Sequence, residues 1–245
     1  MGFFDLIADW FTIGMMIQFN IITIFPKIFD SYFKESILKR AQKEGLIKIA
    51  VHNLRDFAAG KHKKVDDKPY GGGPGMVFMI EPIYKAVEFA KRKARSAMPT
   101  GRQAKRKKVI LFSTRGKKFD AKVAKRLALC DQLILICGRY EGVDERVAEH
   151  ITDEEISIGD YVLSGGELAA MVLVEAVARF IPGVLGKRES LEEIKGSYPV
   201  YTRPENFILK GKSQSAKRKA QKGWQVPKVL VSGNHKKIDK WRSSR

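Results

Sequence analysis

Two glycine-bearing segments, each beginning where an apolar run ends, constrain the fold of this chain most strongly. Residues 137–146 read Cys-Gly-Arg-Tyr-Glu-Gly-Val-Asp-Glu-Arg, and residues 156–167 read Ile-Ser-Ile-Gly-Asp-Tyr-Val-Leu-Ser-Gly-Gly-Glu. Glycine at a strand end lets the backbone approach a ligand closely, because no Cβ stands in the way. Two such turns predict one pocket built largely from backbone, suited to a flat, hydrogen-bonding ligand such as an adenine nucleoside.

Apolar patterning predicts that strands and helices alternate along most of the chain. Short β-branched or continuous apolar runs indicate strands, whereas apolar spacings of three and four residues indicate helices. This alternation is typical of an α/β fold with a largely parallel sheet. The predicted strands are 17–25, 47–51, 108–112, 133–137 and 155–158, the predicted helices are 29–43, 82–96, 121–129 and 166–180, and 65–76 is a predicted loop. Asn234 is expected to cap a helix.

The chain is strongly basic, with a formal net charge of +19 over 245 residues. Such a balance favours a polyanionic partner, most often a nucleic acid, although charge alone does not distinguish RNA from DNA. Lysine and arginine concentrate in 91–108 and 210–222, and neither segment contains an acidic residue. We interpret 210–222 as a source of phosphate contacts, whereas 91–108 is equally compatible with a long solvated connection.

The cysteines and the N-terminal residues indicate the cellular compartment in which the protein is expected to work. Cys130 and Cys137 are the two cysteines. They provide neither a disulfide framework nor a metal-ligand spacing, and Cys137 is expected to be a core thiol, so a reducing cytoplasm is predicted. No apolar run reaches the roughly 18 residues that span a membrane. Residues 1–16 are an apolar extension without a basic start, which makes a poor signal peptide. They could be an annotation artefact, a packing helix or an interface helix.

Together with four further motifs, the two glycine-bearing segments form a series of six along the chain. They are 66–76 (Asp-Asp-Lys-Pro-Tyr-Gly-Gly-Gly-Pro-Gly-Met), 137–146, 156–167, 179–186 (Arg-Phe-Ile-Pro-Gly-Val-Leu-Gly), 201–204 (Tyr-Thr-Arg-Pro) and 230–235 (Leu-Val-Ser-Gly-Asn-His). With these motifs the chain resembles bacterial tRNA (guanine-N1-)-methyltransferases of the TrmD type from about Ile17 onward. The resemblance implies a SPOUT-type parallel sheet with a C-terminal trefoil knot. It also implies an antiparallel homodimer with its active sites at the subunit interface, and methyl transfer from S-adenosylmethionine to N1 of the guanine 3′ of the tRNA anticodon (position 37).

The family's binding residues map onto three loops of the predicted donor pocket and onto two substrate-side motifs. The implied donor-binding residues are Leu111, Phe112 and Ser113, then Gly138, Tyr140 and Glu141, then Ile158, Gly159, Tyr161, Leu163, Gly165 and Gly166. The implied substrate-binding residues are Asp66, Asp67, Tyr70, Gly73, Pro74, Gly75, Tyr201 and Arg203. Thr114 departs from the family, which usually has proline there.

Methyl transfer to guanine N1 requires a base that removes its proton, or a cation that stabilises the charge on O6. The resemblance assigns the assisting cation to Arg179, although an ion pair at a helix C-terminus would also explain this residue. The position of the family's aspartate base holds Glu193, whose extra methylene changes its reach by about 1.5 Å. Glu192 or another group could act instead. The family suggests Mg²⁺ as a possible cofactor, but no carboxylate metal cage is evident in the sequence.

The sequence also departs from the family toward its C-terminus. The predicted organisation is a knotted domain over 17–186, a linker over 187–209 and a short basic tRNA-binding segment over 210–245. The family usually continues beyond the Trp241-Arg242 pair with a helical domain, and the basic stretch 210–222 resembles an insertion, so we expect this stretch to replace part of the missing grip on tRNA. A SPOUT methyltransferase for another RNA site and a non-catalytic RNA-binding relative are the alternatives.

Overall fold

The computed structural model describes residues 16–96, 106–186, 196, 198–207 and 224–244. Contacts between residues divide the chain into two units, Met1–Arg188 and Glu189–Arg245. Several of the segments discussed above lie outside the described residues. They are 1–15, residues 97–105 of the basic segment 91–108, the linker residues 187–195 with Glu192 and Glu193, and the basic segment 210–222.

The regular elements alternate along the first unit, as the apolar pattern predicts. The strands are β1 (Ile17–Thr23), β2 (Ile47–Asn53), β3 (Asp66–Asp67), β4 (Val77–Phe78), β5 (Lys107–Lys118), β6 (Gln132–Ile136), β7 (Glu154–Ser157), β8 (Asn206–Phe207) and β9 (Trp224–Gln225). The α-helices are α1 (Asp30–Phe33), α2 (Ser36–Lys43), α3 (Ile80–Ser96), α4 (Ala121–Leu127), α5 (Glu145–His150), α6 (Glu167–Arg179) and α7 (His235–Ser243).

A five-stranded parallel sheet in the order β2-β1-β6-β5-β7 forms the centre of the first unit. Side chains of β6 alternate between two apolar cores, since Leu133 and Leu135 belong to one and Ile134 and Ile136 to the other. Helices α2, α4 and α6 pack into the first core, and α3 and α5 pack into the second. Covering both faces buries the whole of β6, which explains its nearly continuous apolar sequence.

The predicted α/β fold with a parallel sheet is confirmed, as is the core position of Cys137, which is 1% exposed. Burial raises the pKa of the Cys137 thiol well above its usual value. The order and pairing of the strands agree with a SPOUT-type sheet. The trefoil knot stays a prediction, because strand pairing does not record how the chain is threaded.

Three local predictions are wrong. The single helix predicted over 29–43 is two helices, interrupted where Ser36 adopts a positive φ of 47°. The strand predicted to end at residue 112 continues to Lys118. The predicted loop 65–76 contains β3, whose residues Asp66 and Asp67 pair with β4. In addition, α5 was not anticipated, because it is short and largely charged.

The second unit contains a small two-stranded sheet, a 3₁₀ turn at Lys228–Val231 and one α-helix among its described residues. Strands β8 and β9 pair antiparallel, and the rings of Phe207 and Trp224 lie 5.7 Å apart between their centroids. Helix α7 begins after Asn234, whose side chain accepts a hydrogen bond from the Lys237 N–H at 3.1 Å. The predicted capping role of Asn234 is therefore confirmed.

Candidate functional site

The cleft of the first unit lies at the edge of the parallel sheet where β6 and β7 end, beside residues 111–115 of β5. Ligands of open α/β sheets bind at this edge, beyond the carboxyl ends of the strands. The cleft has a volume of about 380 Å³, which suits a small organic ligand. All the predicted donor-binding residues line it: Leu111, Phe112, Ser113, Gly138, Tyr140, Glu141, Ile158, Gly159, Tyr161, Leu163, Gly165 and Gly166.

The first wall of the cleft is a bulge within β5. Phe112 and Lys117 both pair with Ile156 of β7, so residues 113–116 bulge out of the ladder. Glycine is required at Gly116, because a Cβ there would lie 2.6 Å from the backbone of Glu155 and Ile156. The bulge brings Ser113, Thr114 and Arg115 into the lining of the cleft.

The second and third walls are the turns that follow β6 and β7, and they contact each other directly. The Gly166 N–H donates to the Gly138 carbonyl at 3.0 Å, and Arg139 forms an antiparallel bridge with Gly165. A Cβ on Gly166 would lie 2.8 Å from the Cys137 Cα, so only glycine permits this approach. The two glycine-bearing segments of the sequence thus form one backbone-lined pocket.

Charged and aromatic side chains surround the cleft. The Arg115 guanidinium bonds Glu145 at 2.6 Å and Glu155 at 3.1 Å, and these hydrogen bonds raise the pKa of Arg115. The Tyr140 ring packs edge-on against Phe78, with centroids 5.2 Å apart. The side chains of Tyr161 and Leu163 remain partly exposed, which leaves apolar surface available to flank a flat ligand.

The predicted substrate loop is bonded to the second wall. The Glu141 N–H donates to the Met76 carbonyl at 3.1 Å, and Phe78 exchanges hydrogen bonds with Gly142 and Asp144 at 3.1 and 3.0 Å. Asp66 and Asp67 begin this loop in β3, and Tyr70, Gly73, Pro74 and Gly75 follow along it. Tyr70 is fully exposed. The structure therefore brings the N-terminal substrate motif next to the donor-side turn.

The remaining predicted residues are not gathered into the cleft. Arg179 is the last residue of α6, is half-buried and does not line the cleft. Its guanidinium forms no hydrogen bond or ion pair with another described residue, so the helix-terminal ion pair considered from the sequence is not found there. Tyr201 and Arg203 belong to the second unit, and Glu193 lies outside the described residues.

Several lining residues received no binding role from the sequence. Thr114, Arg115, Arg139 and Glu155 line the cleft without having been assigned a binding role. Arg139 and Glu167 lie inside the quoted glycine motifs and form an ion pair in which the carboxylate is buried and the guanidinium is partly exposed. Segment 137–146 carries five charged residues and segment 156–167 carries two, so no signal in the sequence distinguished Arg139 and Glu167 from the other charges.

The parts of the chain that the structure describes contain neither a metal-ligand cluster nor a membrane-spanning helix. No group of three or more histidine, cysteine, aspartate or glutamate side chains is placed there to hold a metal ion. None of the helices described is both long enough and apolar enough to cross a membrane.

Known proteins resemble this chain over most of its length. The profile described as "tRNA (Guanine-1)-methyltransferase TrmD" matches residues 17–245. A tRNA (guanine-N(1)-)-methyltransferase of Geotalea uraniireducens is 50% identical over 92% of this chain and 83% of its own length. A protein of the same name from Carboxydothermus hydrogenoformans is 48% identical over 93% of this chain and 82% of its own length.

Among solved structures, the tRNA (m1G37) methyltransferase of Aquifex aeolicus superposes with a TM-score of 0.71. It is 38% identical, and the match covers 92% of this chain and 87% of the other. The profile match and the relatives extend across both units rather than over the sheet alone. The chain belongs to the TrmD family of tRNA (guanine-N1)-methyltransferases.

Proposed function

We propose that this protein transfers the methyl group of S-adenosylmethionine to N1 of the guanine 3′ of the tRNA anticodon, at position 37. The observation that carries the proposal is the cleft formed by the ends of β6 and β7 and by the bulge of β5, lined by all the donor-binding positions implied by the family. The Aquifex aeolicus relative is named for this same tRNA position. The net charge of +19 favours binding of a polyanion such as tRNA. We also propose that the enzyme acts in the cytoplasm.

The cleft fits the donor through its backbone more than through its side chains. The glycine-bearing walls expose N–H and carbonyl groups that can pair with the edge of an adenine ring. Ile158, Tyr161 and Leu163 provide apolar flanks for the faces of that ring. When bound, S-adenosylmethionine supplies a methyl group that its sulfonium already activates, so the protein needs no covalent intermediate.

The protein contributes proton transfer and positioning. The guanine N1–H must lose its proton as the methyl group arrives, and we assign that proton to the Glu193 carboxylate. Arg179 would stabilise the negative charge that develops on O6. Holding N1 in line with the methyl group supplies much of the remaining acceleration. No step of this proposal uses Mg²⁺.

An exposed apolar face supports the predicted homodimer. This apolar face consists of Phe25, Ile28, Tyr32, Leu168 and Val172, each at least 40% exposed. The Tyr32 hydroxyl donates to Glu175 of α6 at 3.3 Å, which ties the two parts of the face together. A second copy of this chain covering the face would remove apolar surface from water.

The position of Arg179 is compatible with an active site shared between two subunits. Leu168, Val172, Glu175 and Arg179 recur at helical spacing along α6, so Arg179 projects from the same side as the apolar face. Arg179 of one subunit could then act at the cleft of its partner. This arrangement would explain why it does not line the cleft of its own chain.

The substrate side consists of two motifs that we propose contact the target nucleotide and its neighbours. Asp66, Asp67 and the loop from Tyr70 to Gly75 adjoin the cleft and could hold a guanine that has left its stack. Tyr201 and Arg203 offer an aromatic ring and a cation from the second unit. Phosphate contacts from 210–222 would then position the anticodon stem.

The experiment that tests the proposal is methyl transfer from labelled S-adenosylmethionine to an unmodified tRNA transcript with guanine at position 37. A matched transcript with adenine there is the control. We expect label only on the guanine transcript, recovered as 1-methylguanine. Label at another nucleotide would support the alternative of a different RNA site, and donor binding without any transfer would support a non-catalytic relative.

A further inference from the structure

Glu167 is a buried carboxylate for which the proposed chemistry has no use. It is the first residue of α6 and is 1% exposed, in a helix whose other buried residues are all apolar. A buried carboxylate is costly unless ionic or hydrogen-bonding partners compensate its lost hydration. Its partners therefore indicate what this position does.

Glu167 holds Arg139, which lines the donor cleft. Arg139 Nε lies 3.1 Å from both carboxylate oxygens of Glu167, and Arg139 Nη2 lies 3.1 Å from Oε2. The guanidinium also lies over the Phe25 ring, with Arg139 Cζ 4.5 Å from the ring centroid. The Arg139 side chain is thus fixed between an anion and an aromatic ring. Its backbone belongs to the second wall of the cleft.

The same carboxylate is anchored to the sheet. The Thr23 hydroxyl, at the end of β1, donates to Glu167 Oε1 at 2.8 Å. The same hydroxyl oxygen accepts a hydrogen bond from the Phe25 N–H at 2.9 Å, so its single proton remains available for Glu167. The position of Glu167 at the start of a 13-residue helix further favours its charge, through the exposed N–H groups of the first turn.

Taken together, these contacts connect the two glycine-bearing walls. Arg139 follows Gly138 in the second wall, whereas Glu167 follows Gly165 and Gly166 of the third. The backbone bond from Gly166 to Gly138 and the bridge between Arg139 and Gly165 lie directly beside the ion pair. Losing the ion pair would leave these few backbone contacts to hold the walls at their separation.

We infer that Glu167 is a positioning residue of the donor site, which acts through Arg139 to hold the second and third walls of the cleft together. The inference rests on the proposed function in that the ligand of the cleft is taken to be S-adenosylmethionine. This role differs from a purely structural one, because Glu167 would affect donor binding by holding the Arg139 side chain, and through it the shape of the cleft.

The test compares Glu167→Gln with Thr23→Val, which removes the other hydrogen bond to the same carboxylate but leaves Arg139 paired. The affinity for S-adenosylhomocysteine is measured by calorimetry for the full chain. Because supporting partners of a binding site commonly contribute tenfold or more, we expect Glu167→Gln to weaken binding by about tenfold or more and Thr23→Val by less than about twofold. In an Arg139→Gln background, adding Glu167→Gln should weaken binding little further.

A second measurement needs no ligand. Amide hydrogen exchange of the peptides covering 137–144 and 158–167 should accelerate in Glu167→Gln and not in Thr23→Val. Equal affinity and equal exchange in Glu167→Gln and the unmodified protein would overturn the inference, as would additive losses in the Arg139→Gln background. If the unmodified protein bound no donor, the proposed function would fail, while the exchange measurement would still decide the role of Glu167.

Discussion

Among single residues, the proposed base gives the sharpest test, because an adjacent residue of the same type serves as its control. Glu193→Gln keeps the size of the side chain but cannot accept the N1 proton, so we expect single-turnover methylation to fall by about a hundredfold or more. Glu192→Gln makes the same change one residue earlier and should leave the rate within about threefold. Donor affinity should be unchanged in both variants.

Rapid-quench measurement of 1-methylguanine at saturating donor and tRNA would check this prediction. A Glu193→Gln variant with a near-normal rate would exclude this residue as the base. If Glu192→Gln were the slow variant instead, the proton would be assigned to Glu192.

The donor-lining residues could be predicted from the sequence, whereas the Arg139–Glu167 ion pair could not. Glycine at strand ends has a local meaning, so the donor-lining positions could be predicted from their motifs. The ion pair joins residues 28 positions apart in two different turns, and no local pattern specifies that pairing. Each member is one of several charges in its segment, and its role follows from the tertiary contact.

At the level of elements, the bulge in β5 determines the shape of the first wall. Gly116→Ala would place a Cβ 2.6 Å from the backbone of β7, which cannot move aside as a flexible side chain can. We expect the free energy of unfolding to fall by about 1–3 kcal/mol and donor binding to weaken. Gly186→Ala is the matched control, because nothing lies within 4 Å of the Cβ it would add.

Urea unfolding followed by circular dichroism, together with donor titration, would check this prediction. Gly186→Ala should behave as the unmodified protein does in both measurements. If Gly116→Ala were equally stable and bound donor equally well, the close approach of β5 to β7 would not be needed for the cleft.

The elements that the sequence did not predict are those in which tertiary packing overrides a local pattern. The apolar spacing across 29–43 is helical, yet Phe29 and Phe33 stack in the core with their ring centroids 5.3 Å apart, and the chain turns at Ser36, where α2 begins. The continuation of β5 after residue 112 has few apolar residues, and only its pairing with β7 makes it a strand. The central strands and long helices were predictable because burial on both faces leaves a strong apolar signal.

For the whole molecule, the apolar face on α6 predicts that assembly and activity are linked. Val172→Glu would place a charge at the centre of the proposed contact between subunits, so we expect sedimentation to report a monomer and methyl transfer to fall by at least about tenfold. Tyr84→Glu introduces the same charge at an exposed position of α3 and should leave both properties unchanged. A fully active monomer would contradict an active site shared between subunits.

The charge of the molecule predicts how tRNA affinity depends on salt. Each lysine or arginine that contacts a phosphate adds about 0.7–0.9 to the slope of log affinity against log salt. Replacing Lys217, Arg218 and Lys219 by glutamine should therefore lower that slope by about 2 and leave donor affinity unchanged. The same replacement of three exposed cations on α2, Lys39, Arg40 and Lys43, removes equal charge and serves as the control. If both triple variants lowered the slope equally, the basic segment would act only through net charge. If deleting 212–222 left tRNA affinity unchanged, the segment would not contribute to tRNA binding. A loss confined to the first variant would identify 210–222 as the part of this chain that grips the tRNA backbone.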